Sequence, residues 1–214
     1  MSGDIQTKKI TSRDIQASER RKQILDTAKK LFAANGYHAT SMRTINRAVG
    51  MSEALTYHYF PGGKLEILNT IIREVEEERA VDIDNSIKAF GEDISLKEAL
   101  LLLTRKMAER FVKDKEFLQI MLQERNLVNK EQRDFLSLAS GQFIGSLVAF
   151  LEKRAGQGQI RKMDFGMAVS QFMCHIGLLA LQQIMYEPEF DGERFIGDAA
   201  KIIDFTSELW SQYT

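Results

Sequence analysis

The chain has 214 residues, of which 44% are hydrophobic, and it carries 29 Lys and Arg against 30 Asp and Glu. This length and composition can bury a sizeable core in one large or two smaller domains, and no internal repeat or low-complexity segment is apparent. No apolar run approaches the ~18–20 residues of a membrane span, the first residues lack the apolar core of a secretory signal, and one cysteine, Cys174, precludes an internal disulfide. We therefore expect a soluble, cytoplasmic protein with no membrane partner.

Charge is distributed unevenly along the chain. Up to residue 66 there are 11 Lys and Arg against 6 Asp and Glu, a net charge of +5, so the remainder carries −6. A local positive field suits phosphate binding, whereas an acidic remainder keeps the rest of the molecule off nucleic acid. Random clustering of surface charge is the alternative explanation.

Residues 1–17 are predicted to form a flexible N-terminal arm, because Lys8, Lys9 and Arg13 occur there with little apolar periodicity. Such an arm either contacts a minor groove or is a solvated tail without a role. After it, apolar residues at helical spacing predict a helix that ends at Asn35-Gly36.

Residues 40–64 predict two short helices joined by a tight turn. Thr40 and Ser41 can cap the first helix, Gly50 tolerates the positive φ of the turn, and Ser52 can cap the second helix. In the second helix Leu55 and Tyr59 are one turn apart and are expected to pack inward, which leaves the other side chains outward.

The outward side chains suit the reading of base edges and phosphates. We expect Thr40, Ser41 and Lys64 to hold phosphates and Tyr57 to bridge backbone and base. The complete set of candidate DNA-contacting residues is Thr40, Ser41, Arg43, Ser52, Glu53, Ala54, Thr56, Tyr57, His58 and Lys64.

The stretch from Arg21 to Leu68 resembles the DNA-binding domain of the tetracycline-repressor (TetR) family. The matching elements are Ile24-Leu25, Ala28, Leu31-Phe32, Gly36-Tyr37, Thr40, Ile45, Gly50, Ser52, Tyr57, Tyr59-Phe60 and Lys64. Asn46 departs from the family's usual small Ala, and the turn before Lys64 is one residue longer than is common. These departures prevent us from inferring which bases are read.

The resemblance implies a helix-turn-helix DNA-binding domain over residues 18–66 and a ligand-binding and dimerisation domain over 67–214. It also implies a homodimer on a palindromic double-stranded DNA operator, released by a small-molecule effector.

The remainder of the chain is predicted to be helical throughout, which makes the fold class all-α. No stretch of strand-like alternation is long enough to propose a sheet. The expected helices span residues 64–89, 95–113, 115–127, 131–155, 164–186 and 192–212, with breaks at Gly91-Glu92-Asp93, Asn129, Gly156-Gln157-Gly158 and Glu187-Pro188.

Aromatic and Met residues on apolar faces of these helices are candidates for a cavity that adapts to an apolar or amphipathic effector. Ordinary core packing is the alternative for each of them. The candidate ligand-binding residues are Phe111, Phe117, Met121, Phe143, Phe172 and Met173.

Residues 163–185 are apolar around much of the helix circumference, which indicates two buried faces. One face can cover the core while the other meets a second subunit, unless the helix is wholly internal to one monomer. The candidate dimer-interface residues are Phe172, Ile176, Leu181, Ile202, Phe205 and Leu209.

An enzyme is not expected. Cys174 and His175 are adjacent on a predicted helix and point about 100° apart, so they cannot address one substrate together. No Cys or His pair has zinc-site spacing, Glu76-Glu77-Glu78 is interpreted as a solvated helix face, and no phosphate-cradling Gly loop is present. We therefore predict no catalytic residue, no metal and no cofactor.

Two function hypotheses follow. The first is a ligand-responsive transcriptional regulator, a repressor rather than an activator. The second is a helical protein-interaction module that never meets DNA.

Overall fold

The computed structural model describes residues 11–91, 93–123, 130–187 and 189–212, with the side chains of 130–140 and 142 left out of the description. Within these residues the chain forms nine α-helices and no strand, apart from one isolated bridge between Ile160 and Ser211. The helices are α1 (Ser12–Asn35), α2 (Met42–Val49), α3 (Glu53–Tyr59), α4 (Gly63–Lys88), α5 (Leu96–Lys113), α6 (Lys115–Gln123), α7 (Lys130–Gly156), α8 (Phe165–Tyr186) and α9 (Gly192–Trp210). The predicted all-α class is confirmed.

The chain divides into two compact units. The described part of the first unit comprises residues 11–73 and 119–123, and that of the second comprises 74–91, 93–118, 130–187 and 189–212. The division therefore falls after Arg73, further along α4 than the predicted boundary at residue 66, and the end of α6 belongs to the first unit.

Helix α1 begins earlier than predicted. Thr11 caps it, because its side chain accepts from the N–H of Asp14 while its own N–H and hydroxyl donate to the Asp14 carboxylate at 2.9 and 2.8 Å. These hydrogen bonds lower the pKa of Asp14. Residues 12–17, including Arg13, are thus helical rather than part of an arm, while Lys8 and Lys9 lie outside the described residues.

The core of the first unit is formed by α1 to α3 and the beginning of α4. Its fully buried side chains come from each of these helices or from the residue that ends one of them. They include Ile24, Ala28, Phe32, Ile45, Phe60 and Ile67. This core fixes α2 and α3 relative to each other and leaves their outer faces in solvent.

In the second unit α8 packs against both α7 and α9, and α5 packs against α9. Among the described residues, α8 is the one helix long and apolar enough to span a membrane by length and composition alone. Core helices of soluble proteins pass the same test, and one face of α8 is indeed buried in the core through Val169, Phe172, Ile176 and Ala180.

The placement of the predicted dimer residues corrects part of that prediction. Phe172 and Ile176 are buried within the core of the single chain, where the Phe172 ring meets Trp210 edge-on at 6.2 Å between centroids. Leu181 and Phe205 are exposed by 39% and 62%, whereas Ile202 and Leu209 are half-buried. Only part of the predicted seam is therefore available to a partner.

A buried charge cluster connects α4 with α5 and with the turn between α5 and α6. It consists of Glu76, Arg79, Arg110 and Asp114, and we refer to it as the Asp114 cluster. The Asp114 carboxylate lies 3.0 Å from Arg110 and 3.3 Å from Arg79, while Arg79 also pairs with Glu76 at 2.9 Å. Burial raises the pKa of Glu76. The interpretation of Glu76 as part of a solvated face was therefore wrong, because its side chain turns towards this cluster.

Candidate nucleic-acid interface

The two short helices of the first unit are positioned by their caps. The Ser41 hydroxyl accepts from the N–H of Thr44 at 3.1 Å, and the Ser52 hydroxyl accepts from the N–H of Leu55 at 3.3 Å. Between α2 and α3, Gly50 has a φ of 74° and donates its N–H to the carbonyl of Asn46. This left-handed position turns the chain sharply, as its glycine predicted.

The buried face of α3 differs from the prediction. Thr56 is fully buried and donates its hydroxyl to the Ser52 carbonyl at 3.3 Å, whereas Leu55 is 39% exposed. Thr56 is therefore not one of the groove-facing residues. Glu53, Ala54, Tyr57 and His58 are exposed on α3, as expected.

Thr40 is also internal, which corrects its assignment as a phosphate contact. It is 1% exposed and donates its hydroxyl to the carbonyls of Gly36 at 2.8 Å and Leu31 at 3.3 Å. The hydroxyl closes the loop between α1 and α2 and has no proton left for a phosphate. Ser41, the next residue, is exposed.

The Lys64 ammonium is committed inside the first unit. It donates to the carbonyls of Tyr37 at 2.8 Å and Thr40 at 2.9 Å, and it lies 4.1 Å from the centroid of the Tyr37 ring. The structure therefore contradicts a simple phosphate contact by this side chain. Instead Lys64 ties the beginning of α4 to the loop that precedes α2.

We expect the Lys64→Met variant to lower the free energy of unfolding by about 2 kcal/mol, because two buried carbonyls lose a charged donor. Chemical denaturation measures the loss. Lys30→Met is the matched control, since Lys30 is exposed on α1 and its replacement should change stability by less than about 0.5 kcal/mol. Equal stability of Lys64→Met and the wild type would mean that the two hydrogen bonds of Lys64 do not stabilise the fold and that its ammonium group is available to phosphate.

Two exposed cations lie on one face of α2. Arg43 was predicted to face the groove, and Arg47, one turn further along the same face, was missed. The spacing of four residues was the signal that could have identified it. Both guanidinium groups are available to phosphate or to guanine.

The Gly-rich turn before α4 accommodates Tyr57. Gly63 has a φ of 64°, and a Cβ atom there would lie 3.3 Å from Cε1 of Tyr57. Glycine is therefore needed for its backbone and for the close approach of the ring. The Tyr57 ring thus lies against the turn before α4, and the residue is 40% exposed.

Asn46 lies on the inner face of α2, at the position where the resemblance led us to expect Ala. Its side-chain amide is buried, and neither its oxygen nor its nitrogen has a hydrogen-bond partner in the described part of the chain. A buried amide of this kind costs stability. Nothing in the structure explains its presence.

Three of the predicted ligand-binding residues pack inside the second unit. Phe111 packs edge-on against Phe195, Phe117 is buried beneath the Arg79 guanidinium, and Phe172 belongs to the core. These three are core residues, as the alternative explanation held.

The other three predicted ligand residues have different surroundings. Met121 is in the first unit. In the second unit Met173 packs at the edge of the core, and Phe143 lines a groove. That groove, of about 530 Å³, also contains Val81, Asp84 and Ser146. Phe143 is thus a predicted ligand-binding residue that borders open space.

Three helices in a compact unit, the second and third joined by a left-handed glycine, define a helix-turn-helix protein with a second all-α unit. Residues 24–71 match the tetR family of bacterial regulatory proteins. The first unit therefore carries the helix-turn-helix domain of the TetR family.

Relatives and solved structures agree with this assignment. The HTH-type transcriptional regulator YxaF of Bacillus subtilis (strain 168) is 32% identical over 91 residues, which cover 42% of this chain and 46% of YxaF. The match thus spans less than half of that relative. The TetR-family regulator PfmR of Thermus thermophilus has a TM-score of 0.66 at 26% identity, covering 86% of this chain and 97% of PfmR.

The fold likeness extends to a solved complex. FadR of Bacillus subtilis, crystallised with stearoyl-CoA, has a TM-score of 0.69 at 22% identity, covering 85% of this chain and 96% of FadR. At this identity the likeness establishes a shared fold.

Proposed function

We propose that the protein is a ligand-responsive transcriptional regulator that represses by binding a palindromic operator as a homodimer and is released by a small apolar or amphipathic effector. The observation that carries the proposal is the exposed polar face of α2 and α3 in a helix-turn-helix domain of the TetR family. A cytoplasmic location accompanies this function. The protein would act as a binding protein and not as an enzyme.

The exposed face offers two kinds of contact. Arg43 and Arg47 on α2 can neutralise phosphates, which supplies affinity without sequence preference. Tyr57 and His58 on α3 present donors and acceptors that can meet base edges, while the small Ala54 permits close approach to a groove. The exposed Ser41 and Ser52 lie at the N-termini of these helices, where backbone N–H groups also favour phosphate.

Arg43→Ala and Arg47→Ala should each weaken binding to all duplexes about equally and reduce the salt dependence by roughly one phosphate. Tyr57→Ala and His58→Ala should instead change the preferred bases. Fluorescence anisotropy at several salt concentrations, with duplexes selected from a random pool, measures both effects. Arg105→Ala on α5 is the control, because Arg105 is an exposed arginine of the second unit.

The same anisotropy experiment distinguishes a DNA-binding regulator from a protein-interaction module that does not bind DNA. A wild-type protein that binds no duplex in a salt-dependent manner would favour the module. Unchanged binding by the double variant of Arg43 and Arg47 would show that the DNA-binding face lies elsewhere.

The proposed dimer uses the outer faces of α8 and α9. Exposed apolar side chains recur along α8 at intervals of three, four or seven residues, and Phe205 on α9 is exposed as well. The α8 residues are Met167, Cys174, Leu178, Leu181 and Met185. Two such faces related by a twofold axis would form a four-helix bundle and set the separation of two half-sites near one helical turn of DNA, roughly 34 Å.

Effector release requires an effector that binds one conformation better than another. Helix α4 supplies residues 63–73 to the first unit and 74–88 to the second, so it is the candidate lever. The amphipathic stearoyl-CoA bound by the fold neighbour FadR supports the class of effector.

An effector present at 100 times its dissociation constant should stabilise the fold by about 2.7 kcal/mol, which a melting experiment detects. The operator is first recovered by genome-wide DNA pull-down, and release is then measured with the same compounds. If a broad panel of lipophilic and amphipathic compounds gives neither a melting shift nor operator release, the effector class is wrong.

A further inference from the structure

A second groove of the helical unit, remote in sequence from the helix-turn-helix, carries a buried positive charge. It has a volume of about 660 Å³ and lies where the N-terminus of α5, the residues after α7 and the end of α9 come together. We call it the Arg154 groove. Its walls include Leu96, Ile160 and Ser211 as well as Arg154.

The backbone that forms the groove is firmly held. After α7 the chain turns at Gly158, which has a φ of 73°, and Ile160 then pairs with Ser211 in the isolated bridge. The N–H of Arg161 donates to the carbonyl of Trp210 at 2.9 Å. The groove therefore has fixed walls, and Ile160 and Leu96 give it an apolar floor.

Arg154 contributes a charge that no acidic side chain of the described residues pairs. The residue is 5% exposed, donates to the carbonyl of Ile94 and lies with its guanidinium carbon 4.7 Å from the centroid of Phe150. Among the described residues it makes no ion pair, unlike the buried Arg110 and the half-buried Arg79 of the Asp114 cluster. Burial lowers its pKa, as expected for a cation taken from water without an acidic partner.

A buried guanidinium normally has a carboxylate partner, because the desolvation of the charge is otherwise uncompensated. The carbonyl end of α7 offsets part of the charge, since Arg154 lies in its last turn. The remaining N–H groups of the planar guanidinium form a fork that fits two oxygen atoms. An anion is thus the chemical complement of the groove.

The neighbouring charges select the kind of anion. Lys97, also on the groove wall, is already paired with Asp204 at 2.7 Å, and the carboxylates of Asp93 and Glu208 line the same groove. These carboxylates would repel a dianionic phosphate more strongly than an anion of single charge. A single carboxylate matches the one unpaired charge of Arg154, and the apolar floor suits a short hydrocarbon or aryl group.

We propose that the Arg154 groove binds a small organic monocarboxylate, whose oxygen atoms accept from the Arg154 guanidinium and whose apolar part lies on Ile160 and Leu96. The site differs from the groove at Phe143 and from the predicted effector residues. Its occupancy does not depend on DNA binding or on dimer formation.

Calorimetric titration of the full chain with benzoate and hexanoate tests the proposal, with benzamide as the uncharged isostere of benzoate and inorganic phosphate as the competing anion. Both carboxylates should bind in a saturable manner, and benzamide should bind at least tenfold more weakly. No saturable binding of either carboxylate to the folded protein, or tighter binding of phosphate, would overturn the proposal.

Variants locate the site. Arg154→Gln should weaken benzoate binding at least tenfold, but it also removes the hydrogen bond to Ile94 and can impair folding. Ser211→Asp provides an independent test, because Ser211 is exposed on the groove wall and its replacement supplies an internal carboxylate. Ser211→Asp should lose benzoate binding while Ser211→Asn retains it; equal affinity of these two folded variants would refute the assignment to this groove.

Discussion

The Asp114→Ala variant is expected to unfold with a free energy about 3–5 kcal/mol below that of the wild-type protein. Asp114 is 3% exposed and faces the guanidinium groups of Arg110 and Arg79. Its removal leaves Arg110, itself buried, with only the partly exposed Asp82 and Glu78 as partners. The cost arises from desolvated charge that is no longer compensated.

Thermal and chemical denaturation measure this effect, and a loss of this size corresponds to a fall in melting temperature of roughly 10 °C for a chain of this length. Lys113→Ala is the matched control, because it breaks the neighbouring pair with Glu78, in which both side chains are more than half exposed. That pair should contribute less than about 1 kcal/mol. Similar losses of unfolding free energy in the two variants would mean that Asp114 is solvated and that its ion pairs with Arg110 and Arg79 contribute little to stability.

Leu181→Glu is expected to dissociate the proposed dimer and to abolish operator binding. Leu181 is exposed on the apolar stripe of α8, so the substitution should leave the single chain folded. In a twofold seam it would bring two carboxylates into an apolar contact at a cost of several kcal/mol. Separated monomers would no longer hold two copies of α3 at the spacing of the two half-sites of a palindromic operator.

Sedimentation velocity and anisotropy on the operator measure the two consequences, and circular dichroism checks that the helices persist. Leu102→Glu on α5 is the control, since Leu102 is similarly exposed but lies outside the proposed seam. A Leu181→Glu protein that sediments as a dimer and still binds the operator would place the seam elsewhere.

The bounds of several helices could be predicted from the sequence because local chemistry determines them, although α1 begins before the predicted position. Ser41 and Ser52 cap helices at the expected places, and Gly50 supplies the left-handed turn. Each of these signals acts within a few residues, so no tertiary information is needed.

The direction in which a short helix faces could not be predicted in the same way. In the seven residues of α3 the apolar pair Leu55 and Tyr59 indicated one face, but the structure buries Thr56 instead. A threonine can be buried in a helix because its hydroxyl bonds to the carbonyl four residues earlier, here that of Ser52. Polarity alone is therefore a poor guide for this residue type.

Long-range contacts account for the remaining differences. The periodicity of α8 indicated two apolar faces but not which one meets the core, so Phe172 and Ile176 were assigned to the dimer seam. Likewise Glu76 belongs to a charge cluster only because α5 brings Arg110 and Asp114 close to α4. Partners distant in sequence determine these environments.

The bonds of Lys64 have a mechanical consequence for the first unit. They join the first turn of α4 to the carbonyls of Tyr37 and Thr40, and Ser41, which caps α2, follows directly in the chain. Two hydrogen bonds and one peptide bond thus connect the beginning of α4 to the beginning of α2. A rotation of α4 would therefore displace the beginning of α2. Replacing Lys64 would remove these two hydrogen bonds and leave the buried side chains at the beginning of α4, such as Ile67, to hold α4 against the rest of the first unit.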